Sequence, residues 1–225
     1  MTSDQTTPER GEDSTIATLE VEPASAAAVF GDHLELGRRF TDSLARHGEE
    51  LGLIGPLELP RLWTRHIVNS GLVAPLLRPG RVADVGSGAG LPGIVLAIIR
   101  PDVSFTLIEP MERRVDWLSR QVSELGLENV VVERARAEDS GFKHQFDQVT
   151  ARAVSALRTL VPVTAPLLKP GGEFVLLKGA GVAGEIGAAD KVFRKYRVID
   201  PEVLELGGDH GTEITRVFRA RVTSG

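Results

Sequence analysis

A run of alternating glycines between two apolar stretches constrains this chain more than any other feature. Asp84-Val85-Gly86-Ser87-Gly88-Ala89-Gly90-Leu91-Pro92-Gly93 follows a short strand pattern, Val82 to Val85, and precedes an apolar helical pattern, Ile94 to Ile99. Strand, glycine turn and helix in that order bring bare backbone close to a nucleotide-like ligand. Pro92 falls where the first turn of a helix tolerates it, and Pro101 stops that helix.

The pattern continues to alternate. Strands are expected at Val103–Ile108, Val130–Val132, Phe146–Ala151 and Phe174–Leu177, with two more at Val203–Leu206 and Ile214–Ala220. A helix is expected over Met111–Leu125, ended by Gly126, and an interrupted one over Ser155–Leu168. Such alternation implies an α/β fold with a mostly parallel sheet covered on both faces. Residues 1–22 are polar and aperiodic and read as a disordered tail. Residues 23–78 form an N-terminal helical segment. Ser25 is a candidate cap for its first helix, Leu36, Phe40 and Leu44 are spaced as one apolar face, and Leu57 to Leu77 reads as helical. Residues 79–225 form the ligand-binding domain.

Composition removes several chemistries. The 225 residues include no cysteine, so there is no disulfide framework, thiolate metal site or cysteine nucleophile. No apolar run is long enough to span a bilayer, and the N-terminus is unlike a signal peptide, so a cytoplasmic protein without membrane or metal partner is expected. Net charge is −5, but residues 1–60 carry 12 acidic and 4 basic side chains. The remainder therefore has a small basic excess, which is either a working surface for a polyanion or ordinary solvated charge.

The glycine spacing selects the ligand. A dinucleotide turn requires its third glycine where this chain has Leu91. The run is instead G-x-G-x-G, preceded by Asp84, and a carboxylate there suits a cationic ligand better than a pyrophosphate. S-adenosylmethionine (SAM) carries an ammonium and a sulfonium and no phosphate. Asp84, Gly86, Ser87, Gly88, Gly90 and Leu91 are therefore the expected cofactor turn. Glu109, at the end of the second strand, is placed to accept from ribose hydroxyls, and Ala137-Glu138 lies where an adenine edge would be. Each feature alone is commonly just a tight turn or a surface acid; their joint spacing carries the reading.

The chain also resembles a known family. The glycine run with its Leu91-Pro92-Gly93 extension, the segment Trp63-Thr64-Arg65-His66-Ile67-Val68-Asn69-Ser70, Thr150-Ala151-Arg152-Ala153 and Leu177-Lys178-Gly179 are similar to the small-subunit ribosomal RNA methyltransferase G family, also called glucose-inhibited division protein B. The resemblance covers roughly residues 30–220. It implies a Rossmann-like class I SAM-dependent methyltransferase fold, with a seven-stranded, mostly parallel sheet and an antiparallel last hairpin strand. It implies methyl transfer to N7 of a guanine in the 530 loop of 16S ribosomal RNA, leaving S-adenosylhomocysteine. Gly86, Leu91, Ala137, Glu138 and Arg152 are the cofactor contacts it carries over. It further implies a monomer acting on 16S rRNA or the small ribosomal subunit, and altered sensitivity to streptomycin-type drugs on loss of activity.

Guanine N7 bears no proton, so no general base is expected and no acid–base residue is assigned. The Asn/Asp-Pro-Pro-Tyr/Phe motif of exocyclic-amine methylation is absent, and no cysteine is present for pyrimidine carbon chemistry. Candidate RNA contacts are Arg61, Arg65, His66, Arg113, Arg114 and Arg158, with Arg134 and Arg136, and nearer the C-terminus Lys191, Arg194, Lys195 and Arg197. A small-molecule methyltransferase on the same fold is the main alternative. A nucleotide-dependent oxidoreductase is opposed by Leu91 and Asp84, and an inactive cofactor-binding scaffold requires a blocked substrate rim.

Overall fold

The computed structural model describes residues 18–208 and 212–223. Its centre is one seven-stranded sheet, in the spatial order β3-β2-β1-β4-β5-β7-β6. The strands are β1 (Gly80–Val85), β2 (Val103–Ile108), β3 (Val130–Glu133), β4 (Phe146–Arg152), β5 (Leu168–Lys178), β6 (Val198–Leu206) and β7 (Thr215–Val222). The first five pair in parallel, and β7 runs antiparallel between β5 and β6. Chain order reverses between β1 and β4, which opens a crevice at the carboxyl ends of these strands.

Side chains alternate across the sheet and build two cores. Val82, Phe105, Leu107, Val175 and Leu177 point to one face. They pack there with the N-terminal helices α1 (Ala24–Phe30) and α2 (Leu34–His47) and with α4 (Gly93–Ile99) and α5 (Glu112–Leu125). Ala83, Ile108, Phe174 and Leu176 point to the other, under α6 (Leu157–Thr164) and α7 (Val182–Tyr196).

Several sequence expectations need correcting. Ser25 does not cap α1: it lies inside the helix, which starts after Pro23, and its Oγ is buried without a partner. Leu57–Leu77 is not one helix. A 3-10 turn, Leu59–Arg61, leads into a π-helical stretch, Leu62–Val68, then one α-turn, α3 (Asn69–Gly71), and a second 3-10 turn, Ala74–Leu76. Pro60 and Pro75 fall in the two 3-10 turns, where a missing backbone N–H costs little. Helix α7 was not foreseen, because Gly184 and Gly187 dilute its apolar spacing of Val182, Ala189 and Phe193. Strand β6 begins at Val198 rather than Val203.

Residues 1–17 of the expected tail lie outside the described residues. Residues 18–22 run alongside the helical segment. The Glu20 amide donates to the Leu59 carbonyl at 2.9 Å, the Glu20 carboxylate accepts from the Thr64 amide at 3.0 Å, and Glu22 pairs with Arg38 at 2.6 Å.

Candidate active site

The three alternating glycines of the turn all adopt left-handed backbone, with φ of 70° at Gly86, 54° at Gly88 and 93° at Gly90. A side chain is strained at each of them. A Cβ on Gly90 would also stand 2.5 Å from Ile94 Cγ1, and one on Gly86 would stand 3.0 Å from Val154.

Two buried carboxylates hold this turn from below. Asp84 is fully buried; its Oδ2 accepts from the Gly93 amide at 3.1 Å, while its Oδ1 has no partner. Burial pushes its carboxyl up to about 7, and the charge of Glu109 adds to the rise. Glu109 is 2% exposed and accepts from the amides of Gly88 and Met111, each at 3.0 Å. Ser87 donates to the Asp84 carbonyl at 2.9 Å, and the fully buried Trp117 donates from Nε1 to the Ala89 carbonyl at 3.0 Å. Leu91 is buried beside the turn, and Ala137 is buried in a 3-10 turn that leaves Glu138 exposed.

The left-handed turn over two acidic side chains fits a cationic cofactor. Gly86 and Gly88 are half-buried, while Ser87, Ala89 and Gly90 are buried. Asp84 acts first on the loop itself, through the Gly93 amide. The sequence missed this role, although Gly93 is visible as a position where a Cβ would meet Asp84 Oδ2 at 2.5 Å and Leu107 at 2.4 Å.

Arg152 ends β4 next to the turn and is held by the helical segment. Its Nη1 donates to the His66 carbonyl at 3.3 Å and to Ser70 Oγ at 3.4 Å, and its Nη2 donates to His66 Nδ1. Because a guanidinium only donates, this bond fixes His66 Nδ1 as acceptor and puts the imidazole proton on Nε2. Nε2–H then donates to Glu58 Oε2 at 2.6 Å. Burial pushes His66 down to about 4, with the positive charge of Arg152 as the second cause, so the ring is neutral near pH 7. Burial works to raise the Glu58 carboxyl, but hydrogen bonds from His66 and Arg61 hold it below its usual range. Burial likewise pulls Arg152 down to about 10, which leaves it cationic at neutral pH.

An open cavity of about 410 Å³ adjoins this relay. Its walls include Glu58, Arg65, His66, Asn69, Arg152, Lys178 and Thr215. Lys178 closes one side, donating to the Ser155 carbonyl at 2.7 Å and pairing with Glu185 at 2.9 Å. Glu58, Asn69, Lys178 and Thr215 were given no role by sequence reasoning. Asn69 and Lys178 stand within the family-like segments, but nothing in their spacing marks a shared cavity.

The candidate RNA contacts fall into two groups. Arg65 lines the cavity, and Arg61 and Arg65 reach Glu58 at 2.9 and 3.5 Å. Arg113 and Arg114 stand in the first turn of α5, Arg114 near Gly88 and Arg113 near Gly52, and Arg158 is exposed at the start of α6. Arg134 pairs with Glu112 at 2.9 Å, and Arg136 is exposed after β3. Lys191, Arg194, Lys195 and Arg197 instead lie at the far end of α7. There Lys195 and Arg197 line a separate cavity with His144 and Leu168, near the starts of β4 and β5, and Arg194 pairs with Asp190.

The fold and the glycine turn define a SAM-dependent methyltransferase of the Rossmann-like class I type. Among solved structures the chain is similar to TYW2 from M. jannaschii in complex with AdoMet (TM-score 0.58, 20% identity, 73% of this chain and 78% of that one). It is also similar to a SAM-dependent O-methyltransferase from Thermotoga maritima (TM-score 0.53, 18% identity, 70% and 65%). Residues 33–212 match the model of the family described as rRNA small subunit methyltransferase G. Proteins called ribosomal RNA small subunit methyltransferase G from Leifsonia xyli subsp. xyli and Clavibacter michiganensis subsp. michiganensis are 64% and 61% identical. Each alignment covers 91% of this chain, and 98% and 97% of the respective relative. The chain belongs to this rRNA small subunit methyltransferase G family.

Proposed function

We propose that the protein methylates N7 of a guanine in the 530 loop of 16S rRNA by direct in-line attack, without a general base. The carrying observation is the cavity beside the glycine turn: among the described residues that line it, His66 and Glu58 are both engaged in the relay with Arg152 and Arg61, and Glu213 is the remaining carboxylate. His66, the histidine among the described residues that line the cavity, has both ring nitrogens engaged, one by Arg152 and one by Glu58. N7 needs no deprotonation, so placement is what this site must supply.

When bound, SAM would supply a sulfonium methyl group electrophilic toward the N7 lone pair, with S-adenosylhomocysteine as the leaving group. Asp84 and Glu109 hold the glycine turn in the shape that receives the cofactor. Gly86, Gly88 and Gly90 admit it against bare backbone, and Leu91, Ala137 and Glu138 border it. Val154 packs over Gly86 and links the turn to Arg152 and the cavity. Arg152, oriented by neutral His66, faces the space where the base enters and is suited to donate to guanine O6. Arg65, which lines the cavity, with Arg113, Arg114 and Arg158 are the proposed phosphate contacts; Arg194 and Arg197 are assigned to RNA outside the target loop. The target base leaves its stack to reach the cavity.

Purified protein should transfer labelled methyl to 16S rRNA or small subunits from cells lacking this enzyme. Mass mapping should then place one added methyl on a guanine N7 in the 530 loop. Label on no RNA in any assembly state would refute this reading, and label on another base atom would refute its N7 part.

A further inference from the structure

The geometry points to Asn69 as the residue that reads the edge of the target base remote from the methyl-accepting nitrogen, with Thr215 completing the slot. This rests on the guanine reading above and adds to it a specificity-determining residue. Asn69 is 9% exposed, lies on the cavity wall, and its Oδ1 is buried with no hydrogen-bond partner. Thr215, 6% exposed at the start of β7, lines the same cavity, and its Oγ1 is unpartnered as well. Buried polar groups in a native fold almost always have partners, so two unpartnered oxygens on residues that line one cavity leave a place for a ligand that supplies them once the side chains turn toward it.

The chemistry of that ligand follows from what else lines the space. Arg152 and Lys178, from the ends of β4 and β5, are donors in the cavity, and they suit an acceptor such as O6 next to N7. With the N7/O6 edge turned to the donors and the methyl group, the N1–H and 2-amino donors of guanine face the helical wall. Asn69 Oδ1, which has no protein partner, is an acceptor on that wall beside Glu58, and a turn of the amide brings it from its buried place to the cavity. Adenine and the pyrimidines do not offer two adjacent donors in that place.

The contact also favours the reaction. As N7 gains its methyl the purine becomes cationic, and N1–H and the 2-amino group become stronger donors. A bond from them to Asn69 therefore strengthens toward the transition state, which is where a contact raises kcat.

The test compares Asn69→Leu, Asn69→Ala, Asn69→Asp and Thr215→Val with the unaltered protein on 16S rRNA, with SAM affinity measured by calorimetry. Asn69→Leu and Asn69→Ala should lose at least tenfold in kcat/KM, with SAM affinity changed less than twofold. Asn69→Asp, which keeps the acceptor, should recover to within about fivefold, and Thr215→Val should lose less than Asn69→Leu. Unaltered protein should also lose about tenfold on RNA whose target guanine is replaced by inosine, which lacks the 2-amino donor, while Asn69→Leu should lose little further. The inosine arm stands even if a variant fails to fold. Equal rates on guanine and inosine, full activity of Asn69→Leu, or SAM affinity falling in step with activity would overturn the assignment. If the unaltered protein methylates no guanine N7, the functional reading fails first.

Discussion

Replacing Asp84 by Asn should change the pH dependence of stability by an amount the structure sets. Asp84 is fully buried, one oxygen on the Gly93 amide and the other on nothing. Burial raises its carboxyl from the reference 3.8 to about 7. With the folded value above the unfolded one, the folded protein keeps a proton that the unfolded chain has already released. The stabilising term is complete below the unfolded value and is lost as pH rises through about 7. At about 1.4 kcal/mol per unit, the loss accumulated between about pH 5 and about pH 8 is roughly 2–3 kcal/mol. Asp84→Asn abolishes that titration while keeping the side chain's shape.

The assay is urea unfolding of both proteins at the two pH values, without cofactor. Unaltered protein should lose roughly 2–3 kcal/mol more than Asp84→Asn across the interval. His66 runs the other way: its depressed value makes stability fall as pH drops from 6.5 through about 4. Both proteins carry His66, so it cancels in the difference. The fixed cost of placing an amide N–H₂ at the orphan position cancels too. Parallel pH dependences, within about 0.5 kcal/mol, would refute the placement of a buried, proton-holding carboxyl under the turn.

Gly90→Ala should cost about 1–3 kcal/mol of stability and more than tenfold in SAM affinity by calorimetry, because alanine is strained at that φ and its Cβ meets Ile94. Trp117→Phe leaves the Ala89 carbonyl without its donor, and should cost about 1–3 kcal/mol in urea unfolding while weakening SAM binding. Methyl transfer should fall on the acid side as pH approaches about 4, because protonated His66 can no longer accept from Arg152. Rates of His66→Gln, whose amide has no titration there, should be flatter over the same range.

The alternation of strand and helix was legible because buried parallel strands and amphipathic helices leave strong local periodicity. The glycine turn was legible for a related reason: left-handed backbone needs glycine, and glycine is visible. What was not legible depends on contacts between distant segments. Asn69 and Thr215 share a cavity only because the helical segment folds back over the ends of β4, β5 and β7. Glu58 acquires a partner in His66 eight residues on because the π-helical stretch sets an unusual pitch, which no apolar spacing reveals. The basic candidates near Arg194 looked equivalent to those near Arg113, yet α7 carries them to the opposite end of the sheet, and only the missed helix could have shown that.

The charges around the proposed site pose a problem that the geometry answers. Glu109 under the turn, joined by Asp84 once pH passes about 7, attracts a sulfonium, and attraction to a ground-state charge that then disappears would raise the barrier. The positive charge does not vanish, however; it moves across one new bond to the purine. Its loss from the field of Asp84 and Glu109 is then offset if acceptors lie around the base. Glu58 and the Asn69 amide line the cavity on that side, and Glu58 is kept ionised by His66 and Arg61. Arg65, Arg152 and Lys178 line the cavity and would oppose charge on the purine; Arg152 is tied by His66 and Ser70 at the helical side, and Lys178 is paired with Glu185. On this argument the relay has two duties: it aims Arg152 at an acceptor edge, and it restrains the guanidinium from settling against the nitrogen that must become cationic. Arg152→Lys separates them. A lysine keeps the charge but not the fork held by His66, so kcat should fall more than SAM affinity; a fall in SAM affinity equal to that in kcat would instead make Arg152 purely a cofactor ligand.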